Sequence, residues 1–239
     1  QKGRGYAPAE ERPDKFHSVA PKDAEPAGGF SKAFGEAIVS AATSDKRICA
    51  ITAAMGRGTG LTEFEKQFPD RFFDVGIAEE HALTFAAGLA ANGYRPVTAI
   101  YSSFMQRGYD QIVHDIALQN LPVLMCIDRA GLNRADGATH HGMFDVSFLS
   151  SIPNIAIYTP SSFAGLELSV RTALSEGKPA AIRYPNGGED ARLRDTFYAD
   201  GDPTDVAVRE SNPENHAIPA AVILTHGRIT REALTAREI

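Results

Sequence analysis

The sequence predicts an α/β fold in which helices cover both faces of a mostly parallel sheet. Short apolar runs that lack polar alternation, such as ICAITA at 48–53 and LPVLMCID at 121–128, are typical of strands buried on both faces. Segments with helical periodicity separate these runs, and strands that alternate with helices form parallel sheets. The 239 residues, 43% of them hydrophobic, are enough to bury a sizeable core without a disulfide or a structural metal.

The predicted elements begin near Phe30. Ser31 can cap the first helix, because serine is among the preferred residues at a helix N-cap. The apolar residues of this helix recur with a helical period at Phe34, Ala37, Ile38 and Ala41. Strands are predicted at 48–53, 71–76, 95–102, 121–128, 154–160 and 179–185. Further helices are predicted at 79–93, 104–120 and 161–177.

The two ends of the chain differ from this middle part. Residues 1–29 and 189–217 are rich in proline and charged residues and lack periodicity, which is typical of linkers. Residues 30–188 form the predicted α/β domain. Residues 218–239 combine a strand, a glycine turn and the start of a helix, and they predict the beginning of a second α/β domain.

Composition excludes several classes of protein. The formal net charge of −6 and the lack of a basic run argue against nucleic-acid binding. No stretch approaches the roughly 18 apolar residues of a transmembrane helix, and the N-terminal residues lack the apolar core of a signal peptide. Cys49 and Cys126 lie inside predicted strands, and neither has a CxxC partner. This pattern is typical of cysteines that serve as small core residues in a protein of a reducing compartment. We therefore predict a cytoplasmic protein without membrane or nucleic-acid partners.

Candidate binding residues are those that follow the strands, because ligands of parallel α/β sheets bind at the carboxyl ends of the strands. The sequence MGRGTG, from Met55 to Gly60, follows the strand at 48–53, and Asp74 lies at the end of the next strand. A strand, a glycine turn and an acid are elements of a dinucleotide site. Leu61 stands where that motif has its third glycine, so a structural turn or a contact with a different cofactor are the alternatives.

Glu79 follows a predicted strand and lies in the first turn of a helix. One interpretation is that Glu79 and Glu80 only complement the positive end of the helix dipole. Apolar neighbours on both sides, Ile77 among them, indicate instead that one of the two glutamates points inward. A carboxyl group in an apolar pocket has its protonated form favoured, which suits a residue that shares a proton with a ring nitrogen.

The loop from Asp128 to Gly142 leaves a buried strand and carries, among glycines, the polar residues Arg129, Arg134, Asp136, His140 and His141. Long polar loops at strand ends are where binding residues concentrate. Three interpretations stay open at this point: a solvated loop, a binding loop, or a metal site made by Asp136 and the two histidines. Adjacent histidines seldom face the same ion, which disfavours the metal site.

Four further residues lie near strand ends, namely Tyr101, Phe104, Arg107 and Arg183. Taken alone, Phe104 suits the core and Arg107 suits a helix surface. Arg129 and Arg183 follow different strands. If those strands are neighbours in the sheet, the two guanidinium groups form a clamp for a phosphate or a carboxylate.

Long stretches that include these residues resemble one family. The stretches are KGRGYAPAE, AITAAM with GTGL, FPDRFFDVGIAEEHALTFAAGLA, AIYSSFMQRGYDQIVHDIALQNLPV, DRAGLNRADGATHHGMFD, TPSS and IRYPNG. Together they resemble the 1-deoxy-D-xylulose-5-phosphate synthases, which are thiamine-diphosphate enzymes of the transketolase superfamily. The resemblance covers nearly the whole chain and is to the middle domain of that family, which binds the aminopyrimidine half of the cofactor.

The resemblance implies roles for individual residues. The family's glutamate at Glu79 is catalytic, because it hydrogen-bonds N1′ of the aminopyrimidine and promotes the imino tautomer. The phenylalanine at Phe104 stacks on the pyrimidine, and Ile77 and Arg107 lie close to the cofactor. The substrate-pocket residues of the family match Tyr101, Arg129, Asp136, His140 and Arg183. Among these, the arginines and the tyrosine hold glyceraldehyde 3-phosphate, and the histidine is catalytic near the reacting carbon.

The resemblance also implies what lies outside this chain. Family members bind magnesium and the diphosphate through an N-terminal domain with a GDG signature, which does not occur here. Residues 1–29 are therefore expected to be the linker after that domain, which completes the site in cis or as a separate chain. No metal ligand is expected in the chain, and the chain alone is expected to be inactive.

The activity that the resemblance implies is a transferase reaction of isoprenoid and thiamine biosynthesis, carried out by a homodimer. Pyruvate is decarboxylated, and the remaining two-carbon unit is transferred to glyceraldehyde 3-phosphate. The alternative is a noncatalytic or regulatory transketolase-like subunit that binds a partner chain through its sheet edge and loops.

Overall fold

A computed structural model describes residues 3–11, 29–133, 137–194, 223 and 225–237. In these ranges the core is one sheet of six strands, all parallel, so the predicted α/β fold is confirmed. The strands are β1 (Ile48–Thr52), β2 (Phe72–Asp74), β3 (Arg95–Tyr101), β4 (Leu124–Asp128), β5 (Ala156–Tyr158) and β6 (Ala180–Arg183). Their order across the sheet is β2-β1-β3-β4-β6-β5.

Helices connect the strands and also occur before the first strand and after the last one. They are α1 (Ala7–Glu11), α2 (Phe30–Ser44), α3 (Thr62–Gln67), α4 (Glu79–Ala91), α5 (Ser102–Met105), α6 (Tyr109–Gln111), α7 (Asp145–Leu149), α8 (Phe163–Glu176), α9 (Ala191–Arg194) and α10 (Thr230–Arg237). The three longest, α2, α4 and α8, correspond to predicted helices. After α8, Gly177 has a φ of 64°, the left-handed conformation that glycine adopts at helix ends.

The helix predicted at 104–120 is a helical run whose hydrogen bonding changes along its length. A 3-10 turn at Gln106–Gly108 joins α5 to α6, and a π-helical turn at Ile112–Ala117 follows α6. The 3-10 turn lies where the run packs closely against α4, because a Cβ at Gly108 would lie only 2.1 Å from Cδ1 of Leu83. Glycine therefore lets this backbone approach α4.

Helices cover both faces of the sheet. On one face α2, α3 and α8 enclose an apolar layer that includes Phe34. On the other face α4, α7 and the helical run after β3 enclose a second layer that includes Leu83. Neighbouring residues of one strand serve different layers, as Ala50 and Ile51 of β1 do. Both faces of the central strands are therefore apolar, which explains why their sequences lack polar alternation.

The two cysteines are core residues, as predicted. Cys49 in β1 and Cys126 in β4 are buried and form no disulfide. Burial raises the pKa of the Cys49 thiol to about 12. Burial, together with the nearby carboxylate of Asp128, also raises the pKa of Cys126. Both thiols therefore stay protonated and behave as small apolar side chains.

The ends of the chain are described only in part. Helix α1 lies in the first predicted linker, α9 lies in the second, and most of both linkers falls outside the described residues. Helix α10 agrees with the helix predicted after the turn at Gly227, whereas the strand predicted before that turn lies largely outside the described residues. The domain boundaries stay predictions. In the described parts of the chain, no helix has the length and apolar character needed to cross a bilayer.

A close contact between two backbone segments determines how α2 lies against the turn before α3. A Cβ at Gly35 of α2 would lie 2.2 Å from the carbonyl oxygen of Gly60. From the other side, a Cβ at Gly60 would lie 2.0 Å from the carbonyl oxygen of Ser31. Neither contact ends in a flexible side chain, so neither can be relieved by a rotamer change.

We expect Gly35→Ala to lower the free energy of unfolding by about 2 kcal/mol, because the new methyl group forces α2 away from the turn. The matched control is Gly88→Ala in α4, where a Cβ meets nothing within 4 Å. That change should raise stability by about 0.5–1 kcal/mol, because alanine favours the helix more than glycine does. Urea unfolding followed by circular dichroism measures both values. Equal effects of the two substitutions would contradict the packing argument.

Candidate active site at the carboxyl edge of the sheet

The predicted site residues lie along one edge of the sheet, where the parallel strands end. Glu79 follows β2, and a turn comprising residues 55–61, which we call the glycine turn, follows β1. Next along the edge, Tyr101 ends β3, Arg129 follows β4 and Arg183 ends β6. The strand order thus brings together residues that are far apart in the chain.

Glu79 is the first residue of α4 and is only 1% exposed. Its neighbour Glu80 is exposed, so the prediction that one of these glutamates points inward is confirmed. Its surroundings are not purely apolar, however. Nη1 of Arg107 donates hydrogen bonds to both carboxylate oxygens, at 3.0 and 3.1 Å. The expectation of an apolar pocket therefore missed a counter-charge that arrives from the helical run after β3.

Three rings form an aromatic wall beside this pair, made by Tyr101, Phe104 and His140. The centroids of Tyr101 and Phe104 are 5.8 Å apart with an angle of 25° between the ring planes. The ring of His140 packs edge-on at 5.2 Å from Phe104 and 6.3 Å from Tyr101. The guanidinium carbon of Arg107 lies 5.5 Å from the centroid of Phe104, which links the wall to the buried carboxylate. Ile77, before α4, is 80% exposed and belongs to the surface of the site and not to the core.

Arg129 is held from several sides at the end of β4. Its φ is 59°, in the left-handed region that residues other than glycine seldom adopt. Its Nη1 donates to the carbonyl oxygen of Gly58 at 2.8 Å and lies 3.0 Å from Oδ2 of Asp128. Its guanidinium carbon is 3.9 Å from the centroid of Tyr101. Strained backbone of this kind persists where surrounding contacts fix it, which is common at functional sites.

Asp128 ends β4, is fully buried and is absent from the sequence-based candidates. Its carboxylate accepts hydrogen bonds from the Ser31 hydroxyl at 2.7 Å and from the backbone N–H of Arg129 at 2.7 Å. The prediction that Ser31 caps α2 is therefore wrong: Gly29 is at the N-cap, and the Ser31 hydroxyl serves Asp128. Burial raises the pKa of Asp128 to about 6, although Arg129 and Ser31 favour its charged form. The sequence signal for Asp128 is a charged residue that ends an otherwise apolar strand.

Arg183 ends β6, which pairs with β4, so the arginines of the predicted clamp do follow neighbouring strands. Arg183 donates from Nε and Nη2 to the carboxylate of Asp145, at 3.0 and 3.2 Å. Asp145 lies in α7, is buried, and is a second residue that the sequence reasoning missed. Nothing in its own segment indicates that it faces β6. Both arginines are therefore fixed by buried carboxylates, which reduce the positive charge that the clamp offers.

His140 and His141 face different partners. Nδ1 of His140 lies 3.0 Å from Oγ1 of Thr139, and Nδ1 of His141 accepts a hydrogen bond from the backbone N–H of Asn133 at 3.1 Å. Asp136, the third member of the alternative metal site, lies outside the described residues. Within the part of the chain that the structure describes, no group of three histidine, cysteine or acidic residues could hold a metal ion.

Asp74, the candidate acid of the dinucleotide interpretation, holds the local backbone through one of its carboxylate oxygens. Oδ1 of Asp74 accepts hydrogen bonds from the backbone N–H groups of Ala54 and Gly76, at 2.8 and 3.0 Å. Leu61 is fully buried where the dinucleotide motif needs a third glycine, and α3, which follows, has only six residues. These contacts favour the structural interpretation of the turn.

Comparison with known proteins identifies the domain. A family model described as transketolase, pyrimidine binding domain, matches residues 29–188. The chain belongs to this family. Its glutamate at the start of α4 and the aromatic wall thus lie in a transketolase pyrimidine-binding domain, at the edge of the sheet where parallel α/β proteins bind ligands.

Two sequence relatives of this pyrimidine-binding domain carry the same name. The chain is 53% identical over 203 residues to the 1-deoxy-D-xylulose-5-phosphate synthase of Natranaerobius thermophilus, an alignment of 81% of this chain and 32% of that protein. It is 46% identical over 245 residues to the synthase of Clostridium beijerinckii, with 100% of this chain and 38% of that protein aligned. The resemblance to this family is confirmed. The chain spans about a third of the length of these relatives.

Solved structures share the same architecture. A protein described as "Split gene transketolase, inactive beta4 tetramer" has a TM-score of 0.62 and 27% identity, over 77% of this chain and 58% of that one. A transketolase from Pichia stipitis has a TM-score of 0.59 and 15% identity, over 74% of this chain and 31% of that one, and it shares the fold.

Removal of Arg107 should leave the Glu79 carboxylate buried without its counter-charge. We expect Arg107→Met to lower the free energy of unfolding at pH 7 by about 1–3 kcal/mol, less than a fully buried pair would lose, because the Arg107 side chain is 50% exposed. In a Glu79→Gln background the same substitution should cost less than about 1 kcal/mol, because no charge is left unpaired. Chemical denaturation of the four proteins measures the coupling. Equal costs in both backgrounds would show that Arg107 acts only through packing.

The raised pKa of Asp128 makes stability depend on pH in a defined window. The folded chain binds the Asp128 proton more tightly than the unfolded chain does. This proton therefore adds to the free energy of unfolding in full below about pH 4, and its contribution is lost as the pH rises past about 6. Asp128→Asn removes this dependence. We expect the free energy of unfolding of the variant relative to the wild type to rise by about 2 kcal/mol between about pH 4 and pH 7. Denaturation across this range measures the difference, and a difference that does not change with pH would refute the assignment.

Proposed function

We propose that this chain supplies the pyrimidine-binding half of the active site of a thiamine-diphosphate-dependent 1-deoxy-D-xylulose-5-phosphate synthase. The observation that carries the proposal is the buried carboxylate of Glu79 at the start of α4, beside the aromatic wall. The names of the relatives support the reaction. In that reaction pyruvate is decarboxylated and its two-carbon unit is transferred to glyceraldehyde 3-phosphate.

The residues present fit the aminopyrimidine part of thiamine diphosphate. A planar heteroaromatic ring needs a face on which to stack and a carboxylate that can share a proton with its ring nitrogen. Phe104 offers the aromatic face, Ile77 an exposed apolar side chain and Glu79 the carboxylate. When bound, the cofactor supplies the nucleophilic carbon and the electron sink that decarboxylation of a 2-oxo acid requires.

Glu79 is the proposed acid–base residue of this half-site. Its burial keeps water from the carboxylate, so a proton that it shares with a bound ring is not lost to bulk solvent. Arg107 binds both carboxylate oxygens and thereby fixes their direction. Arg107 also lies near the face of Phe104, which supports its assignment as a cofactor-binding residue.

The proposed substrate site lies at the other end of the aromatic wall. Arg129 and Arg183, each fixed by a buried carboxylate, are proposed to bind the phosphate of glyceraldehyde 3-phosphate together with Tyr101. His140 is proposed as the second catalytic residue, because its ring packs against the wall where the cofactor ring would stack. Asp136 completes the proposed substrate site on the family resemblance alone.

Further parts of the proposal rest on the same resemblance. Magnesium and the diphosphate are proposed to bind a domain that is not part of these 239 residues. That domain is proposed to lie either on the same polypeptide or on a separate one. The enzyme is proposed to be a homodimer that serves isoprenoid and thiamine biosynthesis. A cytoplasmic location has separate support from the buried, unpaired cysteines Cys49 and Cys126, which suit a reducing compartment.

Glu79→Gln tests the proposal in the assembled enzyme, by which we mean this chain together with a diphosphate-binding domain. Turnover should fall at least about 100-fold, the loss typical of a positioned proton-transfer group. The fold should persist, because glutamine has the same shape. The matched control is Glu80→Gln, which changes the exposed neighbour and should keep turnover within about twofold of the wild type.

Rates of pyruvate decarboxylation and of product formation are the measurements, and circular dichroism verifies folding. Near-wild-type turnover by the Glu79→Gln variant would refute its catalytic role. If the correctly folded wild-type assembly shows no turnover, the alternative of a noncatalytic subunit that binds a partner chain is favoured instead.

A further inference from the structure

The glycine turn has no role in the proposed reaction, yet it contacts two residues of the proposed substrate site. The carbonyl oxygen of Gly58 accepts the hydrogen bond from Arg129 at 2.8 Å, and Sδ of Met55 lies 3.5 Å from the backbone nitrogen of Tyr101. We propose that Gly58 is a positioning residue that fixes Arg129 and Tyr101 for the phosphate group of the acceptor substrate. This inference rests on the proposed function, which assigns those two residues to the substrate.

The lack of a side chain at Gly58 is explained by Tyr101 and not by the backbone. Gly60, in the same turn, has a φ of 82°, whereas Gly58 is not among the glycines with a positive φ. An ordinary residue could therefore adopt the backbone conformation of Gly58. A Cβ at this position would, however, lie 1.9 Å from the hydroxyl oxygen of Tyr101 and 3.0 Å from Cζ. Any side chain at position 58 must displace the hydroxyl end of Tyr101.

The glycine turn is itself well anchored. The hydroxyl and the backbone N–H of Thr59 both donate to the carbonyl oxygen of Met55, each at 2.9 Å. Thr59 and Leu61 are fully buried. Crowding at Gly58 is therefore relieved by movement of the two residues that contact it and not by movement of the turn.

A shift of the Tyr101 ring also moves the guanidinium group of Arg129. The guanidinium carbon of Arg129 lies 3.9 Å from the centroid of the Tyr101 ring, so the two groups pack as a unit against Gly58. Charge-assisted hydrogen bonds depend on distance and direction, so a small displacement weakens anion binding. The aldehyde end of the acceptor carries no such charge. Gly58 therefore sets the preference for a phosphorylated acceptor over an unphosphorylated one.

The first test compares Gly58→Ala with Gly56→Ala in the assembled enzyme at saturating pyruvate. Gly56 lies in the same turn, but a Cβ there would meet the ring of Phe72 at 3.2 Å and not Tyr101. Gly58→Ala should lower kcat/KM for glyceraldehyde 3-phosphate at least about tenfold, mainly through KM, and change kcat/KM for D-glyceraldehyde less than about twofold. Gly56→Ala should change neither value more than about twofold. Equal losses on both acceptors after Gly58→Ala would overturn the inference.

A second arm removes the hydroxyl oxygen of Tyr101, the atom that an alanine at position 58 would meet at the shortest distance. In a Tyr101→Phe background, Gly58→Ala should lower kcat/KM for the phosphorylated acceptor less than about threefold, because the hydroxyl oxygen is gone. The same tenfold loss in both backgrounds would show that the effect does not pass through Tyr101, and the inference would fail.

Binding of glycerol 3-phosphate separates the inference from the proposed reaction, because this probe carries the phosphate but cannot react as an aldehyde. Calorimetry on the assembled enzyme should show binding at least about tenfold weaker for Gly58→Ala than for the wild type and Gly56→Ala. If the wild type lacks synthase turnover but shows this dependence on Gly58, the proposed reaction fails and the positioning role stands. If the wild type is active and probe binding does not depend on Gly58, the positioning role alone fails.

Discussion

The buried charge of Asp128 is the constraint around which the carboxyl edge of the sheet is arranged. A carboxylate removed from water must be paired and hydrogen-bonded, or it takes up a proton. Ser31, on α2, supplies one hydrogen bond, and Arg129 supplies both a backbone N–H and a guanidinium group. Arg129 in turn contacts the glycine turn and Tyr101. One carboxylate thus links a helix on one face of the sheet to the ends of three strands.

The same arrangement recurs at two other buried acids, with a difference in exposure. Arg183 and Arg129, which pair with Asp145 and Asp128, are both mostly buried. Arg107, which pairs with Glu79, is half-exposed. A well-buried ion pair is hard to separate, because each charge would have to be paired again or hydrated, whereas a half-exposed arginine can exchange its partner for water. The site therefore combines two mostly buried guanidinium groups with one that solvent reaches.

Most of the fold and part of the site could be predicted from the sequence. The continuous apolar runs of β1 and β4 predict strands covered on both faces, and the polar residues that follow strands do lie at one edge. The pairing of Asp145 with Arg183 could not be predicted, because it depends on where α7 lies relative to β6. The sequence of neither segment alone indicates that position. Ser31 illustrates a different failure: α2 begins one residue before it, at Phe30, so the Ser31 hydroxyl lies inside the first turn and donates to a buried carboxylate that is distant in the chain.

Among the residues that the structure describes, the sheet ends at β2 on one side and at β5 on the other, and each of these edge strands has three residues. Edge strands this short expose few unpaired backbone groups, so they are poor templates for a strand from another polypeptide. Backbone hydrogen bonding at a sheet edge is largely indifferent to side chains and would accept many partners. With edges this short, side chains on helices and loops carry any selectivity of the domain for another chain.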